Sequence, residues 1–259
     1  MSLEIKRLHL ASLQGIDGAR WPVHGFVVAH PGGAVLVDTG VGGPQQVLDD
    51  WRVVNRSVAD ALADAEVLPF DFVDFADTVE MYTKDLQKLL ADKQEEIRER
   101  NQELDEGMFK ATFDPRRPTV APGKEEIPPH LNFAPMQNAV DSLTRSAKHY
   151  QQALAQKQAS LGDDAFAAKL GALNRELIET ERKLTNADGL PRRPWYKHLL
   201  YAPGVYSGYG VKTVPGVREG IEQKQYAEAE QEIVRVARAL EDESAVIELA
   251  ARDLEQTQR

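Results

Sequence analysis

The sequence predicts a mainly α-helical protein, in which a four-helix bundle of long helices follows a small α+β fragment made of a β-hairpin and a helix. Three observations support this fold class. Apolar residues recur three and four positions apart over long spans after about residue 70. Before residue 66, short β-branched runs are separated by glycine-rich turns. Between the helical spans, residues 189–216 are crowded with glycine, proline and aromatic residues. We therefore expect two domains, residues 1–66 and residues 67–259.

The composition narrows the classes of function. A net charge of −10 over 259 residues argues against a nucleic-acid partner, because no basic surface offsets the repulsion of the phosphates. The chain has no cysteine, which excludes disulfides and thiol catalysis. No stretch is apolar enough for a signal peptide or a membrane span. The sequence as written therefore predicts a cytoplasmic protein with no membrane partner.

The first elements predicted are a hairpin and a helix. The β-branched runs at residues 24–30 and 34–37 flank a Pro-Gly-Gly turn, which is typical of two antiparallel strands. Pro44 then suits the first turn of a helix, predicted over residues 45–65 from its apolar spacing. The predicted order is strand, strand, helix.

The Asp-Thr-Gly triplet at residues 38–40 has two interpretations. An aspartic protease would need a second such carboxylate from a partner copy and a mostly β scaffold, and the helix predicted directly afterwards contradicts that interpretation. The other rests on PVHGFVVAHPGGAVLVDTGVGGPQQVLDDW at residues 22–51, which resembles the opening of a metallo-β-lactamase-fold hydrolase. By this resemblance Asp38 would lie near a metal site, but without the rest of that site we interpret it as a residue that ends a strand.

The resemblance implies a dinuclear metal site built on an HxHxDH motif one strand later, and this chain has no such motif. No two histidines stand two or four residues apart, so no metal ligand is assigned and each histidine is interpreted as a surface or packed residue. The fragment of about residues 4–65 thus resembles a hydrolase truncated before its metal motif. The six histidines are His9, His24, His30, His130, His149 and His198.

The first long helix is predicted from residue 72 to about residue 106, and a proline-rich connection follows it. The apolar stripe of the helix is Phe75, Val79, Tyr82, Leu86, Leu89, Ile97 and Leu104. Six prolines and three phenylalanines in residues 107–135 predict either an ordered strap that packs along the bundle or a linker. The paired glutamates at residues 95–96 and 125–126 could suggest a zinc peptidase, but no ligating residues accompany them, so they are interpreted as charged surface.

Four further helices complete the pattern. Pro135 starts the second long helix, the third begins after Gly162, a short one follows from Val217, and the last reaches Leu254. The last helix is rich in alanine, which permits a close neighbour, and we expect this neighbour to be another subunit. Its alanines are Ala227, Ala229, Ala237, Ala239, Ala245, Ala250 and Ala251.

Residues 189–216 read GLPRRPWYKHLLYAPGVYSGYGVKTVPG. So many helix and strand breakers predict a long loop without regular structure, and long loops of this kind are usually functional or tightly packed. We interpret Trp195, Tyr196 and Tyr201 as side chains that pack the loop against the bundle and do not form a ligand cage.

Three segments carry a second resemblance. They are LPFDFVDFADTV at residues 68–79, LNRELIETERKLTNADGLPRRPWYKHLLYAP at residues 173–203 and GYGVKTVPGVREGI at residues 208–221. Residues from about 67 to 259 resemble the transferrin receptor-like dimerisation domain of the glutamate carboxypeptidase II family. The resemblance implies a homodimer formed through the helical bundle. It also implies that zinc ligands and the general base come from a preceding peptidase domain, which these residues do not include.

One site residue follows from this resemblance. Tyr209 corresponds to the loop tyrosine that binds the terminal glutamate of the substrate, but Gly208 stands where the family has a lysine. Substrate binding is therefore expected at Tyr209 without an assigned preference for glutamate. No catalytic residue and no metal ligand can be named.

Two functions remain open. The favoured one is a non-catalytic dimerisation module without a cofactor, fused to a hydrolase fragment. The alternative is part of a zinc-dependent hydrolase, either carboxypeptidase-like or of the metallo-β-lactamase fold, whose catalytic centre is missing from this chain. The junction between two family fragments is consistent with a recombined gene, a misassembled reading frame or a built chimera.

Overall fold

A computed structural model describes residues 4–14, 20–30, 33–41, 67–108, 122–157, 164–208 and 210–256 of the chain. The chain divides into two compact units, which are described separately. One consists of Met1–Phe70 with Ala159–Arg175, and the other of Asp71–Gln158 with Glu176–Arg259. The predicted mainly helical fold is confirmed. The predicted division into domains at residues 66 and 67 stays a prediction.

The first unit contains a three-stranded antiparallel sheet. Its strands are β1 (Glu4–Gln14), β2 (Arg20–His30) and β3 (Gly33–Val41), in the order β1-β2-β3. The pairing of β2 with β3 confirms the predicted hairpin. Sequence reasoning missed β1, because its apolar residues do not alternate strictly, and a bulge interrupts its register after His9. The helix predicted over residues 45–65 lies outside the described residues.

Four long helices and one short helix are described. They are α1 (Phe72–Asp105), α2 (Ala134–Lys157), α3 (Asp164–Lys183), α4 (Pro215–Glu222) and α5 (Tyr226–Gln256). Asp71 caps α1, since its Oδ1 accepts hydrogen bonds from the backbone N–H groups of Val73 and Asp74 at 3.1 and 3.0 Å. Pro135, predicted to start a helix, lies in the first turn of α2, whereas α4 begins at Pro215, two residues before the predicted start. The helix starts were therefore readable from the sequence.

The core of the second unit forms where α2 packs against α1 and α5. Tyr150 on α2 meets Phe72 on α1 edge to face, with ring centroids 5.1 Å apart. Each large side chain buried in this way contributes about 1.5–3 kcal/mol. The buried stripe of α1 differs in part from the predicted one, because Phe75, Tyr82, Leu89 and Leu104 are only half-buried. The stripe is Phe72, Ala76, Val79, Thr83, Leu86, Leu90 and Ile97.

Small residues bring α4 close to α5. A Cβ atom added at Gly220 on α4 would lie 2.9 Å from the Cβ of Ala229 on α5. The expectation that the alanine-rich face of α5 meets another subunit is wrong for most of these residues, because they are buried within this chain. The buried ones are Ala229, Ala237, Ala239, Ala250 and Ala251, whereas Ala227 and Ala245 are exposed.

Replacing Gly220 with alanine should destabilise the protein because the new methyl group has no room against Ala229. Gly171 on α3 is a matched control, since a Cβ added there would meet nothing within 4 Å. We expect Gly220→Ala to fall about 1–3 kcal/mol below Gly171→Ala in free energy of unfolding, measured by urea denaturation. Equal values for the two variants would contradict the close packing of α4 on α5.

The strap, residues 122–133, lies along α1. The Asn101 side chain binds both main-chain groups of Glu125, with its Nδ2 donating to the carbonyl oxygen at 2.8 Å and its Oδ1 accepting from the N–H at 3.0 Å. At the end of the strap Leu131 and Phe133 are buried, with exposed fractions of 2% and 6%. Of the two predicted alternatives, the ordered strap therefore holds for these residues. Residues 109–121 lie outside the described part of the connection.

No helix among the described residues is both long and apolar enough to cross a membrane.

Candidate functional site: the aromatic loop

The loop at residues 189–216 contains more regular structure than predicted. Two short strands, β4 (Tyr201–Pro203) and β5 (Val211–Thr213), pair antiparallel, with Tyr201 opposite Thr213. The expectation that no strand could form in this loop is therefore wrong for these segments. The chain reverses direction between these two strands, where Gly208 has a φ of +58°, a conformation that favours glycine. A hydrogen bond of 2.9 Å from the N–H of Gly204 to the carbonyl oxygen of Gly210 closes the turn.

The start of the loop is a compact turn that requires glycine. Gly189 has a φ of +68°, and a Cβ atom at this position would clash with the backbone of Pro194. The turn is closed by a hydrogen bond of 2.8 Å from the N–H of Leu190 to the carbonyl oxygen of Tyr196. The glycine and prolines of this segment thus form a hydrogen-bonded turn and not an irregular loop.

A buried ion pair anchors the loop to α4. The Nη2 of Arg193 lies 2.7 Å from the Oε2 of Glu219, and the two side chains are only 4% and 6% exposed. The Nη1 of Arg193 also donates to the carbonyl oxygen of Pro203, and the N–H of Val205 donates to the Oε1 of Glu219 at 3.0 Å. The pair therefore satisfies one backbone group in the last residue of β4 and another just after the strand. Charged hydrogen bonds of this kind are the stronger ones in proteins.

Three polar side chains meet where the loop passes the end of α3. The hydroxyl of Tyr201 donates to the Oε1 of Glu181 at 2.7 Å, and the Nε2 of His198 lies 3.2 Å from the same oxygen. The His198 and Tyr201 rings stack with centroids 3.8 Å apart. Because the N–H of Leu200 donates to the Nδ1 of His198 at 3.2 Å, the Nε2 of His198 carries the proton that faces Glu181.

These contacts set the charges of the cluster. The hydrogen bond from His198 lowers the pKa of Glu181, so its carboxylate is charged at neutral pH. Burial and the hydrogen bond to Glu181 raise the pKa of Tyr201, so the hydroxyl is neutral and acts as a hydrogen-bond donor. The cluster therefore holds the loop against the end of α3, and its neutral hydroxyl is not a nucleophile.

Glu243 on α5 is a buried carboxyl group beside this cluster. The residue is 3% exposed, and its Oε2 has no hydrogen-bond partner among the described residues. Burial, with a further contribution from the charge of Glu181, raises the pKa of Glu243 to about 9. Glu243 is therefore protonated and neutral in the folded protein at pH 7.

The outward side of the loop exposes large apolar side chains. Trp195, Tyr206 and Val211 are 70%, 86% and 67% exposed, and we call these three residues the aromatic face. The expectation that Trp195 packs the loop against the bundle is wrong, since most of its surface faces solvent. Tyr201 is 46% exposed, with its hydroxyl bonded to Glu181 and its ring stacked on His198. Three large apolar side chains exposed on one loop are surface that a partner could cover.

The described residues do not bring together a metal site. Among them, no group of three or more histidine, cysteine, aspartate or glutamate side chains is placed to hold an ion, so the zinc implied by the carboxypeptidase resemblance does not fit this part of the chain. His149, for example, is held between Glu248 and Glu255 at 2.8 and 3.0 Å. Tyr209, the substrate-binding residue expected from the sequence, lies outside the described residues.

Sequence reasoning missed the residues that organise this site. The sequence singled out none of Arg193, Glu181 and Glu219. A signal existed for Glu243, which lies between Leu240 and Ile247 on the apolar stripe of α5. A carboxylate in such a position indicates a buried titratable group.

Comparison with known proteins agrees with the helical part of this description. Residues 131–248 match the family described as "Transferrin receptor-like dimerisation domain". The chain is 28% identical over 197 residues to "Probable glutamate carboxypeptidase LAMP1" of Arabidopsis thaliana, a match that covers 73% of this chain and 23% of the relative. For "Probable glutamate carboxypeptidase AMP1" of the same plant, the identity is 27% over 187 residues, which cover 72% of this chain and 22% of the relative.

A fungal relative matches a shorter stretch. "Probable glutamate carboxypeptidase" of Arthroderma benhamiae is 29% identical over 112 residues, which cover 43% of this chain and 15% of the relative. The chain thus spans less than a quarter of the length of these relatives. These matches do not support the metallo-β-lactamase resemblance of residues 4–65. They do match residues 131–248 to the transferrin receptor-like dimerisation domain family, and the chain is similar to probable glutamate carboxypeptidases.

Proposed function

We propose that this chain acts as a non-catalytic dimerisation module and forms a homodimer through its helices. The observation that carries this proposal is the match of residues 131–248 to a dimerisation-domain family. Those residues include α2, α4 and most of α5, which are also packed together in the core of the second unit. Val234 and Leu249 on α5 are 36% and 48% exposed, so apolar surface on this helix is free to meet a second copy.

Light scattering on the purified chain tests this proposal. We expect a mass near twice 28.8 kDa, and we expect Val234→Glu with Leu249→Glu to shift the mass toward the monomer. Tyr206→Ser is the control, because the aromatic face is not assigned to the dimer. A monomer at all concentrations, or a dimer unaffected by the α5 variants, would rule out this interface.

A second candidate function is part of a zinc-dependent hydrolase whose catalytic centre lies outside these residues. The observation that favours it is the aromatic face, since apolar side chains this exposed on one loop suit contact with another domain. The relatives are named as probable glutamate carboxypeptidases, and in this candidate function Tyr209 would contact the substrate. If the hydrolase instead has the metallo-β-lactamase fold, we expect its substrate to be a lactone.

Zinc analysis and an activity assay on the chain test the non-catalytic part of the first proposal. The non-catalytic module should purify without stoichiometric zinc and should not release glutamate from a peptide that ends in glutamate. If the chain holds zinc and hydrolyses such a peptide or a lactone, and a chelator abolishes this activity, the non-catalytic proposal is wrong. A Tyr209→Phe variant then tests the substrate-binding role of Tyr209, which predicts a higher KM.

We also propose a cytoplasmic location and a fused origin for residues 1–66. Cell fractionation tests the location. Sequencing the transcript across the codons for residues 66 and 67 distinguishes a continuous gene from a misassembled one.

A further inference from the structure

A row of side-chain amides runs along one face of α1. Gln87, Gln94 and Asn101 are spaced seven residues apart, which is close to two turns of an α-helix and places all three on the same side. Each amide offers both a donor and an acceptor, so it can bind a peptide group in the way that a neighbouring strand does. We call these three residues the amide row.

Two members of the amide row already bind the main chain of an extended segment. Asn101 makes the reciprocal pair of hydrogen bonds with Glu125 of the strap described above. One step along the row, the Nε2 of Gln94 donates to the carbonyl oxygen of Pro128 at 3.0 Å. Both amides therefore bind main-chain atoms of the strap and not its side chains.

The third member faces an open groove. Gln87 lines a space of about 440 Å³ between α1 and residues 130–134, where the strap leads into α2. Among the described residues, no hydrogen bond joins the side-chain amide of Gln87, or that of Gln137 on the opposite wall, to another residue. The volume lies within the range of about 300–1,000 Å³ that is usual for ligand sites.

The lining of the groove limits what it can bind. In a chain with 28% charged residues, no aspartate, glutamate, lysine or arginine lines it. Its polar groups are the imidazole of His130 and side-chain amides, above apolar groups that include Leu131 and Phe133. A phosphate, a carboxylate or an ammonium group would find no charged partner here. An uncharged ligand that both donates and accepts hydrogen bonds fits best.

We propose that this groove binds a short, extended and uncharged peptide segment of a partner protein, with Gln87 bonding its main chain as Asn101 bonds that of Glu125. The amide row supports a peptide over other neutral ligands, because its other two members bind peptide groups. The apolar floor accommodates small aliphatic side chains. This binding site is separate from the proposed dimer and does not depend on it.

N-acetyl-tetraalanine amide is a suitable probe, because it offers peptide groups without charge or large side chains. Titrated into the full-length ¹⁵N-labelled chain, it should shift the backbone NMR signals of residues 87–94 and 130–137 in a saturable manner. Gln87→Met keeps the length of the side chain but removes the amide, and should weaken binding about tenfold, since a peptide group of the ligand loses its partner. Gln152→Met, at an exposed position far along α2, should leave the affinity unchanged.

Three results would overturn the proposal. The first is that the probe shifts no signals in the groove. The second is that Gln87→Met binds the probe as tightly as the unchanged chain. The third is that methyl α-glucoside saturates the groove where the peptide does not, which would make it a carbohydrate site. Thermal unfolding of both variants verifies that a weaker signal does not come from misfolding, since Gln87 is only half-buried.

Discussion

Replacing Arg193 with methionine should lower the free energy of unfolding by about 3–5 kcal/mol. The substitution removes the guanidinium but keeps an unbranched side chain of similar length. It leaves the Glu219 carboxylate, 6% exposed and 2.7 Å from the lost Nη2, as a buried charge without its counter-ion. The carbonyl oxygen of Pro203 also loses its charged donor. Breaking one half of a buried pair costs far more than the intact pair contributes, because the remaining charge is still desolvated.

The neighbouring residue provides a matched control. Arg192 pairs with Glu228 at 2.8 Å, but its side chain is 42% exposed, so Arg192→Met should cost at most about 1 kcal/mol. Both free energies follow from urea denaturation monitored by circular dichroism. If the two variants lose the same stability, the Arg193 pair is not the anchor of the loop.

Replacing Glu243 with glutamine should stabilise the protein by about 3 kcal/mol at pH 7. The folded protein keeps Glu243 protonated to about pH 9, whereas the ordinary glutamate pKa is 4.5. Between these values the folded state binds a proton that the unfolded state has released. Stability is therefore lost as the pH rises through this window and is regained as the pH falls toward 4.5. Glutamine has nearly the same shape and does not titrate, so it removes this cost.

The pH dependence separates this explanation from a general packing effect. The advantage of Glu243→Gln should grow as the pH rises toward 9, so that it is large at pH 8 and nearly vanishes at pH 4, where the unchanged protein mostly holds the proton in both states. Glu241→Gln, at an exposed position on the same helix, should match the unchanged protein at both pH values. A constant gain across the range would mean that Glu243 does not titrate as described.

Most of the helical architecture could be predicted from local signals. The period of the apolar residues predicted the four long helices, and Pro135 marked the start of α2 because proline suits a position that needs no N–H donor. The buried face of α1 was harder to predict. Its apolar stripe is wider than the buried one, and only tertiary packing decides that Leu90 is buried while Leu89 is half-buried.

The candidate site could be located from the sequence, but its chemistry could not. The density of breakers and aromatic residues singled out residues 189–216, which contain the side chains described above. The burial of Arg193 depends on Glu219, which lies 26 residues further along the chain, and no local pattern encodes a pairing over that distance. The exposure of Trp195 was mispredicted for a related reason. The turn closed between Leu190 and Tyr196 directs it outward, and loop geometry of this kind follows from hydrogen bonds that composition does not specify.

The pairing of Arg193 with Glu219 also bears on how this protein can diverge. Because both residues are buried and, among the described residues, each forms an ion pair with the other alone, a change at either position alone passes through an unstable intermediate. Sequences that drift apart from this one should retain both residues or exchange both together. We therefore expect these two positions, although far apart along the chain, to change together during evolution.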